Sequence, residues 1–529
     1  MNYLYLGDCA DVLQGRIPEE RISDETADLI YIDPPFNSKR NYTIFFDDKD
    51  IRTQRVAFED TWSLKNIQES LGELRSLKTE KIYKLLMIYS EVAPSAFPYL
   101  VMMALRILEL RRVLKSTGSF YLHCDPTMSH YLKTVCDVIF GQENFRSEIT
   151  WGRTAAHSDA KNYANVADII LYYCKSMKRI FNAQYQPYSS EYIEKYYKHA
   201  DEKGRIFLDR DLTAAGLSGG GYEYEWKGIK KIWRCPFETM KKYEREGRLY
   251  YTKQDTPRLK QYFDEMPGVP TTNIWSDIPP INSQAKERLG YPTQKPKALL
   301  ERIIKASSDE GDTILDAFCG CGTTVDAAES LNRRWIGIDI SPVAVSLIQK
   351  RLKEIYGKSL SKYEVRGIPK DEASAIRLWK QNPFAFQDWW ITEFCAFSMT
   401  FGRKGADKGV DGIALYQVDN EGNTVKAAFQ VKGGKVQSKD IDALRGAMEK
   451  QHCELGVFLS IEPLTKPMLE TISMSGVVDV PGFEYPKLQS LTIGEFFSDK
   501  KLKLPQINIT FETAKLKGKG YRQIELESD

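Results

Sequence analysis

The stretch TILDAFCGCGTTVDAAESL (Thr313–Leu331) constrains this chain more than any other. A short apolar run ends at Asp316, two glycines follow with one residue between them, and a helix-forming run begins at Thr323. Strand, tight turn and helix in that order open a ligand-binding α/β unit. Gly320 and Gly322 let the backbone turn sharply and lie close to a ligand. Thr323 or Thr324 can cap the helix. The next stretch, RRWIGIDISPVAVSLIQKRL, repeats the step from strand to helix. Ser341 suits the N-cap and Pro342 the first helical position. Asp339 ends this second strand about twenty residues beyond the glycines, where such units place an acid for ribose hydroxyls. A tight turn beside a structural acid would give the same letters, so both readings stay open on this stretch alone. No G-x-x-x-x-G-K-[ST] occurs, which excludes an evident P-loop ATPase.

A second strand of this kind lies near the start, in DLIYIDPPFNSKRNY (Asp28–Tyr42). The buried run stops at Asp33, at the carboxyl end of its strand, where open α/β sheets bind ligands. Prolines fix φ and donate no N–H, so Asp33, the Pro34 carbonyl and the Phe36 ring are expected in fixed relation. A carboxylate and a carbonyl accept both hydrogens of an amino group, and an aromatic face stacks on a base. Methyl transfer to an exocyclic amine needs both. Its lone pair is delocalised into the ring, and two acceptors favour a more tetrahedral nitrogen aimed at a methyl sulfonium, by positioning and electrostatics. Inside a duplex that nitrogen is unreachable, so the base must leave the stack. A strand-ending turn would also account for Asp-Pro-Pro.

YLYLGD, ADLIYID and GSFYLHCD read as strands, and FPYLVMMALRILELRRVLKS as a helix between the last two, with basic residues towards its end. That alternation predicts a parallel α/β sheet. At 529 residues several domains are expected, and 42% hydrophobic with 28% charged residues fits a globular chain. No apolar run is long enough to span a bilayer. The opening MNYLYLGDCADVL has an early acid and no basic start, so no signal peptide is expected there. The nine cysteines are scattered and lack C-x-x-C pairs, which fits reduced thiols in a cytoplasm. Five histidines without close metal spacing argue against zinc. With a net charge of +2, any nucleic-acid contact must rest on local basic patches.

DPPF followed much later by DAFCGCGTT resembles the amino-methylating DNA methyltransferases that use S-adenosylmethionine. The catalytic motif precedes the cofactor motif, with a long variable region between, as in the permuted β group. The resemblance covers about residues 1–356 and implies a Rossmann-like methyltransferase fold. It implies catalytic contacts by Asp33, Pro34, Pro35 and Phe36. It implies that Asp316, Phe318, Gly320, Gly322 and Thr323 cradle the methionine end of S-adenosylmethionine, and that Asp339 takes the ribose. YLGDCADVL resembles the segment whose acid approaches the cofactor adenine, hence Asp8. YPTQKPKALLERI resembles the motif before the cofactor loop, so Thr293, Lys295 and Pro296 are expected in the methionine pocket. The family's loop usually opens D-P-F-x-G-S-G, and Ala317 and Cys321 depart mildly from it. The acid-first DPP-[FY] form implies adenine N6, where a serine-first form is more typical of cytosine N4. The resemblance further implies double-stranded DNA as partner, no membrane, room for a homodimer, and a cytoplasmic place in a prokaryotic cell or a phage-encoded origin.

The implied order is a catalytic half (1–150), a target-recognition region (151–290), a cofactor-binding half (291–356), a linker (357–384), a further α+β domain (385–500) and an exposed tail (501–529). In the recognition region WKGIKKIWR interleaves aromatics with Lys227, Lys230, Lys231 and Arg234, as phosphate contact plus stacking needs. A solvated strand face is the plain alternative. Lys39 and Arg40 are placed to hold backbone beside a flipped base.

A methyltransferase needs nothing beyond about residue 360, yet the chain continues. In AAFQVKGG, strand alternation puts Gln430 and Lys432 on one face and Phe429 and Val431 in the core. Asp411 closes GADKGVDG before the strand IALY. An acid, a neighbouring acceptor and a lysine can form a hard-cation site, in which divalent ions activate water on a phosphodiester. Lys432 can support the phosphate charge or the attacking water. Glu393 on the preceding helix can join. The pattern resembles the Mrr-like branch of the PD-(D/E)xK nucleases over about residues 385–500, with Gln430 in place of the second acid. The resemblance implies Mg2+ on Asp411 and Gln430, and a single-chain restriction–modification protein. A surface hairpin with an incidental lysine, or an inactive nuclease fold kept for gripping DNA beside a solitary adenine-N6 or cytosine-N4 methyltransferase, stays open.

Overall fold

The computed structural model describes the chain except residues 17–20, 36–40, 49–50, 60–67, 77–78, 155–162, 215–219, 283–284, 286, 290–293, 395, 399–409, 419–422, 481–482, 506 and 509–529. Phe36, Lys39, Arg40 and Thr293 thus lie outside the described residues. The chain divides into two compact units, Met1–Asn182 with Asn273–Asp529, and Ala183–Thr272.

The larger unit is built on a nine-stranded sheet. Its strands are β1 (Asn2–Leu6), β2 (Ala27–Ile32), β3 (Leu114–Cys124), β4 (Phe145–Gly152), β5 (Ala167–Cys174), β6 (Ile274–Trp275), β7 (Thr313–Asp316), β8 (Arg334–Asp339) and β9 (Tyr363–Arg366). Their order is β6-β4-β5-β3-β2-β7-β8-β1-β9. From β3 to β9 every neighbouring pair is parallel, whereas β5 runs antiparallel to β3 and β4. The parallel strands are continuous apolar runs because helices cover both faces. Along β2, Leu29 and Tyr31 enter one buried cluster, and Ala27, Ile30 and Ile32 the other. The covering helices include α1 (Cys9–Gln14), α2 (Phe97–Val113), α3 (Pro126–Phe140), α4 (Lys297–Ser307), α5 (Thr323–Ser330) and α6 (Pro342–Tyr356). None of the described helices is long and apolar enough to cross a membrane.

Two sequence expectations shift here. Residues 151–182 and 273–290, read as recognition region, supply the end of β4 and all of β5 and β6 to the sheet. The reason is ADIILYYC, a buried antiparallel strand whose apolar run carries no domain signature. The stretch 357–384, read as a linker, contains β9, which pairs with β1, and α7 (Glu372–Gln381), which opens on a capping box from Asp371 and Ser374.

After α8 (Pro383–Glu393) comes a second sheet of β10 (Phe397–Ser398), β11 (Gly412–Gln417), β12 (Thr424–Lys432), β13 (Leu455–Ser460) and β14 (Leu488–Thr492), in that order. β10, β11 and β12 are antiparallel neighbours, and β12, β13 and β14 parallel ones. The crossover from β12 to β13 is α9 (Ser438–Lys450). The expected exposed tail is engaged at its start: β15 (Ile507–Asn508) pairs with β11. Phe386, Trp389 and Trp390 of α8 share one buried cluster with Ile348 and Leu352 of α6. The two sheets therefore have a common apolar core.

The smaller unit holds a four-stranded antiparallel sheet and a hairpin, Tyr222–Trp226 against Ile229–Trp233. Lys227 and Gly228 form its two-residue turn, both with positive φ (47° and 84°), as the twist of a tight hairpin requires.

Candidate active sites

Four adjacent parallel strands, β2, β7, β8 and β1, deliver Asp33, Asp316, Asp339 and Asp8 at or just past their carboxyl ends. Parallel pairing forces this convergence, because one-residue extensions of neighbouring strands emerge at one edge. Asp33 follows β2 directly, with Pro34 buried and Pro35 half-buried behind it. Lys295 Nζ lies 2.6 Å from Asp33 Oδ2.

The glycine loop is closed by these acids. Asp316 accepts from the Phe318 N–H at 3.0 Å and the Thr324 hydroxyl at 2.5 Å. Asp339 accepts from the Gly320 N–H at 2.7 Å and the Ser341 N–H at 2.8 Å. Burial raises Asp316 from 3.8 to about 7, helped by the charges of Asp33 and Asp339. Burial likewise lifts Asp339 to about 6 against those two backbone donors. Among the described residues neither acid has an ion-pair partner. Gly322, at φ 78°, is itself the N-cap of α5, so neither Thr323 nor Thr324 serves as the cap. Thr323 is buried with its hydroxyl 3.3 Å from Arg351 Nη1, in a network that also ties Arg351 to Asp326. Phe318 is half-buried and Pro296 is the N-cap of α4.

Asp8 caps α1 by accepting from the Ala10 N–H, and pairs with Arg106 at 2.5 Å. Sequence reading named Asp8 and missed Arg106, which sits inside α2. It also missed Tyr31, His123 and Asp168, which form a buried chain behind the Asp33 strand. Tyr31 Oη is 2.9 Å from His123 Nδ1, and His123 Nε2 is 3.1 Å from Asp168 Oδ2. The signal for it was a histidine inside the otherwise apolar strand YLHC.

In the C-terminal sheet Asp411 stands beside Gln430, since the register pairs the next residue, Gly412, with Phe429. Asp411 Oδ2 accepts from the Val431 N–H at 2.7 Å. Among the described residues Gln430 Oε1 is buried without a hydrogen-bond partner, an acceptor open to a ligand. Lys432 Nζ is 3.0 Å from Asp440 Oδ1, in the first turn of α9, a residue the sequence reading did not name. Glu393 ends α8 and accepts from Trp389 Nε1 at 3.0 Å. Among the described residues no group of three or more His, Cys, Asp or Glu converges as metal ligands.

In the smaller unit Lys227 pairs with Glu244 and Lys230 with Glu223. Arg234 donates to the Thr213 carbonyl at 2.8 Å, and Lys231 is exposed on the hairpin. The strand carrying the lysines thus balances part of its own charge.

A methyltransferase-type α/β sheet with acids at these strand ends defines the class. The DNA methylase family model matches residues 27–350, more than half the chain, and the chain belongs to that family. A second family model, restriction endonuclease, matches residues 392–480, so the C-terminal domain is restriction-endonuclease-like. Type II methyltransferase M.EcaI of Enterobacter cloacae is 34% identical over 258 residues, 48% of this chain and 57% of that protein. The Mod subunit of the type III restriction–modification enzyme StyLTI of Salmonella typhimurium is 30% identical over 348 residues, 63% of this chain and 50% of that protein. Type II methyltransferase M.BamHI of Bacillus amyloliquefaciens is 25% identical over 352 residues, 66% of this chain and 56% of that protein. The chain thus spans about half the length of these relatives.

Proposed function

We propose that this chain methylates adenine N6 in double-stranded DNA, on a base turned out of the duplex, with S-adenosylmethionine as methyl donor. The carrying observation is the row of strand-end acids, with Asp33 beside two prolines and the glycine loop at the end of the neighbouring strand. Buried Asp316 and half-buried Asp339, without a cation among the described residues, fit a ligand that brings positive charge of its own. S-adenosylmethionine supplies, when bound, an electrophilic methyl on a sulfonium. Gly320 and Gly322 offer backbone close enough to line its methionine end, Asp339 is placed for the ribose, and Asp8 for the adenine. Asp33 and the Pro34 carbonyl accept the amine hydrogens, which favours a more tetrahedral nitrogen whose lone pair is less delocalised into the ring and is aimed at the methyl. Adenine rather than cytosine follows from the acid-first motif.

The experiment is methyl transfer from labelled S-adenosylmethionine to plasmid DNA, followed by nucleoside mass spectrometry. Labelled N6-methyldeoxyadenosine that disappears in Asp33→Ala supports the reading, and N4-methyldeoxycytidine would reassign the base.

The C-terminal domain supports a second activity in the same chain, Mg2+-dependent DNA cleavage. The orphaned Gln430 Oε1 beside Asp411 fits a hard cation's need for oxygen ligands. Lys432 would meet the phosphate. A divalent ion there supplies Lewis acidity and an activated water. One recognition region serving both activities would make this a single-chain restriction–modification protein. The hairpin bearing Lys227, Lys230, Lys231 and Arg234 is our candidate for phosphate contact.

A further inference from the structure

Lys295 was expected in the methionine pocket, but its ammonium meets the catalytic motif. Nζ lies 2.6 Å from Asp33 Oδ2, between residues 262 apart in sequence. Their side chains are only 10% and 16% exposed, so the pair is screened far less than a surface ion pair. Among the described residues Asp33 Oδ1 has no hydrogen-bond partner. The lysine thus engages one carboxylate oxygen and leaves the other. Its backbone is anchored, because the next residue, buried Pro296, is the N-cap of α4. Acids surround the pair. Asp33 acts on Asp316 and on Tyr31, and Lys295 also acts on Asp168, the far end of the buried Tyr31–His123–Asp168 chain. A carboxylate in such company turns away from its neighbours unless a cation holds it.

We propose that Lys295 is the positioning residue of the transfer, fixing the Asp33 carboxylate by Oδ2 so that Oδ1 faces the target amine. The proposal rests on the methyl-transfer reading above. In the reaction the amine lone pair forms the N–C bond while the S–C bond of the sulfonium breaks. Its electron pair stays on sulfur, leaving a neutral thioether, and the surplus N–H proton passes to water. Asp33 needs only to accept a hydrogen bond, and a carboxylate already bound on one side by an ammonium is suited to that. Lys295 touches neither the methyl nor the amine. It acts through Asp33.

The test compares Lys295→Met and Lys295→Arg in the full chain, with plasmid DNA as substrate. Three quantities are read: kcat for methyl transfer, the Kd of S-adenosylmethionine by calorimetry without DNA, and the Tm. Lys295→Met is expected to lower kcat on the order of 100-fold, the usual cost of a misplaced reacting group. Its Kd for S-adenosylmethionine stays unchanged, and Lys295→Arg restores most of kcat. Lys295→Gln gives the same reading should the methionine variant lower Tm. Weakened cofactor binding with kcat intact would return Lys295 to the methionine pocket and overturn the proposal. An unchanged kcat in Lys295→Met, or an arginine variant no better than methionine, would also overturn it. A wild-type chain that transfers no methyl group would remove the underlying function as well, whereas an active wild type with unaffected variants removes only the role of Lys295.

Discussion

The indole of Trp379 packs on Gly433, leaving no room for a Cβ at that glycine. Gly433 follows Lys432 at the end of β12, while Trp379 belongs to α7, which follows β9 at the edge of the methyltransferase sheet. The contact joins the nuclease-like strand end to the helix that packs on α8. Gly433→Ala is expected to cost about 1–3 kcal/mol, as overpacking does. Its Tm should fall, and DNA cleavage with Mg2+ should weaken more than methyl transfer. Equal loss of both activities at unchanged Tm would count against a local effect.

The glycine loop makes a sharper demand. At Gly322 φ is 78°, and a Cβ would stand 2.6 Å from Ile348 Cγ1 of α6. Gly322→Ala carries strain of about 1–3 kcal/mol from the backbone alone. Calorimetry should show a lower Tm and weaker binding of S-adenosylmethionine, because the loop cannot keep its path.

Burial of Asp316 and Asp339 sets a pH dependence. Their carboxyls rise from 3.8 to about 7 and about 6 on folding. Between those limits the folded chain binds more protons than the unfolded one, so ligand-free stability falls as pH rises through the window. Below 3.8 both states are protonated and the effect vanishes. A cationic ligand reverses the preference for the neutral acids. Affinity for S-adenosylmethionine should therefore increase from about pH 5.5 to about pH 8 with release of protons, as linkage requires. Calorimetry in buffers of different ionisation enthalpy measures that release, and Asp316→Asn should flatten the dependence.

At the second site, Asp411→Asn is expected to abolish Mg2+-dependent cleavage of plasmid DNA and leave methyl transfer intact. Asp440→Asn should lower cleavage less, since it frees Lys432 without removing it. Gel analysis of nicked and linear DNA reads both.

Much of this was legible because parallel strands announce themselves. LIYI, TILD and WIGID are buried on both faces, and each ends on or before an acid that the sheet must bring to one edge. The N-cap Ser341 with Pro342 was readable for the same local reason. What escaped notice depends on contacts distant in sequence. Asp33 and Lys295 meet only because α4 starts beside β2's end, and no spacing predicts that. Arg106 reaches Asp8 from within a helix that reads as apolar. ADIILYYC gives no sign that it returns to the main sheet, so the edges of the inserted unit were drawn too wide. The strand β9 is short, and half-buried YEVR resembles polar connector until β1 is beside it.

The most direct measurement is nucleoside mass spectrometry of double-stranded DNA incubated with the full chain and isotopically labelled S-adenosylmethionine. The account predicts labelled N6-methyldeoxyadenosine from the wild-type chain and none from Asp33→Ala. A folded wild-type chain that leaves every deoxynucleoside unlabelled would contradict it.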